Sequence, residues 1–181
     1  MVWQPDVSAP SARLHSVYPM TLPYAEPLNP IDPGPRTIPE PPRRGEPGGE
    51  PCGVCAWNDD GIWSDANWVL HNARSTSLPG TVWLATRAHV DSFADLPPQL
   101  AAEFGGLAGR IEHAILALGD IGRVHLYRWG DGGAHFHVWF MPRPLGMLDA
   151  TKHMLPLWEE RLPPASPEAI ASAGKAIAAA M

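Results

Sequence analysis

Between residues 97 and 119, PPQLAAEFGGLAGRIEHAILALG, apolar side chains recur at positions 100, 104, 107, 111, 115 and 118. That spacing gathers them on one face of a helix. Prolines at the start suit a first turn that needs no amide donor, and Gly119 supplies a stop. Elsewhere the period is nearer two. Residues 61–71, GIWSDANWVLH, alternate loosely and predict a hairpin or two short strands turning at Asp65-Ala66-Asn67. A Pro79-Gly80 turn precedes a strand over 81–86. GRVHLYRWG (122–130) and AHFHVWFMP (134–142) predict an antiparallel pair joined through the turn GDGG. Beyond RPLG a helical stretch is expected near 147–160, then a break at LPPASPE and an alanine-rich helix to about 180. The pattern is that of a compact α+β domain.

One strand carries unusual chemistry. Residues i and i+2 of a strand share a face, so His135 and His137 are expected side by side, with Trp139 next on the same face. Burying an imidazole costs free energy unless it is hydrogen-bonded or ligates something. Upstream, Cys52 and Cys55 are spaced C-x-x-C, a turn that brings two sulfurs to one point and suits a metal or a redox pair.

The N-terminal part reads differently. Thirteen of the 22 prolines lie at or before Pro51, in runs such as NPIDPGPRTIPEPPRRGEPGGEP. Each removes a backbone donor and disfavours helix in its predecessor. Residues 1–51 are therefore expected to form an extended arm, 52–145 the domain, and 146–181 a helical extension. Trp3, Leu14, Val17, Tyr18, Met20, Leu22 and Tyr24 are more apolar than a solvated tail needs, and suggest an arm laid over its own domain or a partner subunit. No apolar run approaches the roughly 20 residues of a membrane helix, and the first residues lack a secretory pattern, so a cytoplasmic protein is expected. A net charge of −6 makes nucleic acid an improbable partner, although a small phosphorylated ligand needs only a few local donors.

The segment His135-Phe136-His137-Val138-Trp139-Phe140-Met141-Pro142-Arg143 resembles, in register, the signature of the histidine triad superfamily, with Trp139 in the third histidine position. PGTVWLATRAHVDSFADLP (79–97) is similar to that family's preceding strand, histidine and acidic loop into a long helix. The resemblance covers about residues 52–145 and implies a histidine-triad-like antiparallel sheet with the long helix packed on it, usually in a homodimer. The upstream C-x-x-C looks like that of zinc-binding members, and the uridylyltransferase branch also replaces its third histidine, by glutamine. From that branch the resemblance implies a zinc site of Cys52, Cys55, His89 and His135; a redox pair, free thiols and two satisfied core histidines are the other readings. It further implies that His137 is a nucleophile forming a nucleotidyl-histidine intermediate at an α-phosphate. Imidazole suits that role, being substantially neutral near pH 7 and a good leaving group. Asn72 matches a ribose-contacting position, though asparagine also makes turns. The amides around Asp131, Gly132 and Gly133 could cradle phosphate, with Arg143 or Arg128 adding charge and Trp139 one N–H donor. The functions to weigh are a nucleotide hydrolase or nucleotidyltransferase, a zinc-stabilised nucleotide-binding dimer without turnover, and a C-x-x-C redox protein. The last lacks the strand-to-helix context such motifs need.

Overall fold

The computed structural model describes residues 22–24 and 33–181. The expectation for Trp3, Leu14, Val17, Tyr18 and Met20 lies outside the described residues. Five strands form one antiparallel sheet: β1 (Trp63–Ser64), β2 (Trp68–Asn72), β3 (Val82–Thr86), β4 (Ile121–Tyr127) and β5 (His137–Pro144), in the order β1-β2-β3-β5-β4. The expected turn between the first two strands is an Asx turn, in which Asp65 Oδ1 accepts from the amides of Asn67 and Trp68. β4 and β5 pair antiparallel as expected, but not through a tight turn. Residues 128–136 form a long connection whose Gly133 bridges, in parallel sense, to Arg44 of the proline-rich segment.

The long helix, α1 (Pro98–Leu116), stops before Gly119. Its buried residues Leu100, Leu107, Ile111 and Ile115 pack on Leu70, Leu84, Phe136, Val138 and Phe140 from one sheet face. Direct register makes this face continuous, because Leu70 lies opposite Leu84 and Leu84 opposite Val138. The expected helix near 147–160 is a 3-10 turn (Leu148–Ala150) followed by a short helix, α2 (Met154–Glu159). The last helix, α3 (Pro167–Ala180), starts at Ser166, whose hydroxyl accepts from the Ala169 amide.

α3 packs against α1 and the end of β2. Its Gly174 leaves the space that Asn72 fills: a Cβ there would lie 2.1 Å from Asn72 Nδ2. Helix propensity alone would make Gly174→Ala stabilising by about 1 kcal/mol. The clash reverses that sign, and we expect a loss of about 1–3 kcal/mol in urea denaturation. In an Asn72→Ala background the same change should become neutral or stabilising. A stabilising Gly174→Ala in the native background would refute this packing.

Candidate functional site

The sheet face opposite α1 is aromatic. His71, Trp83, Trp139 and Tyr127 lie directly opposite one another across β2, β3, β5 and β4. His71 stacks on Trp83 with ring centroids 3.9 Å apart, Trp83 leans on Trp139 at 6.1 Å, and Trp129 stacks on Tyr127 at 5.0 Å. His137 stands two pairs along, opposite Ala85, with its ring edge-on to Trp83.

The orientation of His137 is fixed locally. Its Nδ1 lies 2.7 Å from the backbone oxygen of His135, so Nδ1–H donates there and Nε2 keeps its lone pair. His137 lines a cavity of about 720 Å³ with His71, Asn72, Trp83 and Trp139, closed on one side by Pro167 and Ile170 of α3. Two buried polar atoms in that lining, His71 Nε2 and Asn72 Oδ1, have no hydrogen-bond partner among the described residues. Buried groups normally find partners. A ligand with hydroxyl or amine donors would supply them here.

Burial pushes the His71 imidazole down to about 4, only partly offset by the Asp60 backbone carbonyl and carboxylate. The unfolded chain titrates near 6.5. Between about 6.5 and 4 the unfolded state therefore binds a proton that the folded state refuses, so this contribution is complete above 6.5 and is lost as pH falls. His71→Phe should shrink the stability difference between pH 7 and pH 4.5 by about 2–3 kcal/mol. An unchanged acid slope in the variant would contradict it.

Beside His137 lies a second cluster. The ligand-type atoms of Cys52, Cys55, His89 and His135 all fall within 4.8 Å of one another. Nδ1 of His135 is 3.3 Å from Cys52 Sγ and 3.4 Å from Cys55 Sγ, and Nδ1 of His89 is 3.3 Å from Cys55 Sγ. Tetrahedral bonds of about 2.3 Å to sulfur and 2.0–2.1 Å to nitrogen place S and N about 3.5 Å apart, so the set fits a four-coordinate metal. His135 Nε2–H donates to the Thr86 carbonyl at 2.7 Å, which leaves Nδ1 as the ligand atom. Desolvation, followed by the neighbouring Cys52, pushes the Cys55 thiol up to about 11 without a cation. His135 thus places its ring nitrogen among the two sulfurs and orients His137 through its carbonyl.

The proline-rich segment completes the wall. Gly45, at φ +89°, sits so close that a Cβ would lie 2.8 Å from His89 Cε1; its backbone region favours glycine in any case. Next to it, Arg43 donates to both oxygens of Asp91, to Glu46 and to the Gly130 carbonyl. The guanidinium holds the Asp91 carboxyl below its usual range, and the Arg43 amide, then its guanidinium, does the same for Glu46.

The expected site residues divide accordingly. Cys52, Cys55, His89 and His135 come together. Asn72, His137 and Trp139 share the large cavity, with Asn72 ending a strand rather than making a turn. Gly132 and Gly133 line a smaller cavity of about 330 Å³ with His137. Asp131 is exposed and lines neither. Arg143 is not at the site. It is six residues from His137 along β5, and its guanidinium donates to the carbonyls of Pro144 and Met147. Arg128 donates to the Asp91 carbonyl and faces its carboxylate. Sequence reasoning left His71 without a role. Its place beside Asn72, alternating with Val69, was the available signal.

No family sequence model matches the chain, and no curated protein matches it by sequence. Solved structures do. A Zn-bound histidine triad family protein from Mycobacterium smegmatis aligns with TM-score 0.53 at 19% identity, covering 71% of this chain and 91% of that one. A hypothetical histidine triad nucleotide-binding protein from Sulfolobus tokodaii gives 0.55 at 15%, with the same coverages. A Hit-like protein involved in cell-cycle regulation from Bartonella henselae gives 0.51 at 13%, covering 66% and 85%. The chain therefore has the fold of histidine triad proteins. Among the described residues, no helix is long and apolar enough to cross a membrane.

Proposed function

We propose that this chain is a nucleotide hydrolase or nucleotidyltransferase of the histidine triad type, acting at an α-phosphate through a covalent nucleotidyl-histidine on His137. The observation that carries the reading is the Nδ1–H bond to the His135 carbonyl, which leaves Nε2 free beside a cavity lined by unpartnered His71 and Asn72 atoms. Nε2 attacks phosphorus, the Nε2–P bond forms, and the bond to the leaving group breaks. The leaving group takes a proton from water. Water or an acceptor hydroxyl then attacks the phosphoramidate, its proton going to the hydroxide left by the first step; the P–N bond breaks, and neutral His137 returns with its Nδ1 proton still held. Trp83 and Trp57 line the same cavity, so a base entering it would pack against aromatic side chains.

Zinc is the metal we assign to Cys52, Cys55, His89 and His135, since two thiolates and two imidazoles at these spacings suit it. Four protein ligands leave no open position, so the metal stabilises the fold and holds residue 135. The same four residues support the likeness to the uridylyltransferase branch. We further propose a cytoplasmic homodimer using α1 and the open edge of β4, where Leu126 is exposed; light scattering tests the assembly. The proline-rich segment, the domain from residue 52 and the C-terminal helices remain the proposed division.

Incubation with an adenosine phosphoramidate, acid quenching kept brief, and peptide mass spectrometry should find adenylate on His137. Turnover with no adduct on rapid quenching would refute the covalent route. One observation favours a second reading, a zinc-stabilised nucleotide-binding module: Trp139, flanked by Trp83 and Trp129, offers the leaving group one N–H at most. Tight nucleotide binding without turnover would select it.

A further inference from the structure

In-line transfer at an α-phosphate builds charge on the phosphoryl oxygens, and preorganised cations or donors must meet it. All but one of the arginines around His137 are already engaged. Arg128 and Arg43 are spent on Asp91, and Arg43 on Glu46 as well. Arg87 donates to the carbonyls of Asp65 and Asn58. Arg74 lies over the Trp57 ring at 4.2 Å and faces Asp60. Arg143 is bound at the far end of β5.

Arg44 differs from all of these. It is solvent-exposed, lines the 330 Å³ cavity together with His137, Gly132 and Gly133, and its guanidinium has no acceptor among the described residues. Its backbone is nevertheless pinned. The Ala134 amide donates to the Arg44 carbonyl at 2.8 Å, Arg44 bridges to Gly133, and the preceding residue is the Arg43 clamp. A Cβ on Gly133 would meet Arg44 Cβ at 4.0 Å, so the root of the side chain lies directly against the glycine-rich connection. A free guanidinium on a fixed root, lining the same cavity as the His137 imidazole, can swing onto a phosphate there and hold it bidentately.

We infer that this cavity is a phosphoryl-anion site and that Arg44, delivered from the proline-rich segment, is its cation. The inference rests on the proposed nucleotide reading and deepens it: the arm is part of the catalytic site, and its ligand is the α-phosphate of a nucleotide. It also replaces the charge that Arg143 and Arg128 do not supply.

The test is calorimetric titration of the full, metal-loaded chain with AMP and adenosine, and with UMP and uridine, repeated on Arg44→Ala, Arg44→Gln and Arg44→Lys. Native protein should bind the nucleotide of one pair more tightly than its nucleoside. Arg44→Ala and Arg44→Gln should weaken that nucleotide about 10–100-fold and leave the nucleoside unchanged, with Lys restoring part of the loss. Turnover of the matching phosphoramidate should fall about 10²–10³-fold in Arg44→Ala. Metal content and melting temperature report whether each variant is folded, and Arg44→Lys serves if the others are not. Native protein that binds nucleotide and nucleoside equally, or a folded Arg44 variant that keeps native nucleotide affinity, would overturn this inference alone. Native protein that binds none of the four would overturn the nucleotide reading and this inference with it.

Discussion

Replacing His137 by alanine is expected to lower kcat by at least about a thousandfold while leaving metal content and melting temperature at native values. Losing a nucleophile commonly costs at least that much. The fold is spared because the His137 ring is only half-buried and stands outside the Cys/His cluster; among the described residues its one hydrogen bond is to a carbonyl two residues away. Removing it also leaves a cavity wall still made by Trp83, Trp139 and His71. The nucleotide should therefore still bind, with a change smaller than about tenfold. Steady-state rates with an adenosine phosphoramidate and calorimetry on the same preparation check both halves. Turnover that survives in the variant would end the covalent mechanism.

The second large effect concerns the proposed zinc site. Cys52→Ser, Cys55→Ser and His89→Ala should each lose most of the bound zinc and about 4 kcal/mol or more of stability, because metal affinity in such a site is folding free energy. The cluster joins residues far apart in sequence: the C-x-x-C turn, the stretch after β3 and the entry to β5. Its loss also releases residue 135, whose carbonyl fixes the His137 tautomer, so activity should fall alongside stability. Metal analysis and chemical denaturation, with and without chelator, make the measurement. Native protein that carries no zinc when purified without chelator, or that is equally stable with chelator, would refute the assignment.

How much of this was legible beforehand depended on the range of the signal. α1 declares itself through its repeat at three and four residues, and β5 through its alternation, because both are local. The Cys52-to-His135 contact spans 83 positions, and only the resemblance to a known family implied it. Arg143 shows where periodicity misleads. Alternation places it on the same face as His137, but six residues of strand carry it roughly 20 Å away. His71 and Arg44 were invisible for the opposite reason. Each acquires its setting from an element distant in sequence: β3 and α3 around His71, the 128–136 connection against Arg44. The last helix was foreseen, but not its seat beside Asn72. That seat depends on the absence of a side chain at Gly174, which no hydrophobic pattern records.

The close fit of Asn72 and Gly174 has an evolutionary side. The amide that presents an oxygen to the large cavity also reaches, through its nitrogen, the Ile170 carbonyl of α3. A lineage cannot alter ligand preference at position 72 without loosening the terminal helix, nor strengthen that helix at 174 without displacing the amide. Changes at the two positions are therefore coupled, so in a divergent set of descendants they should vary as a pair.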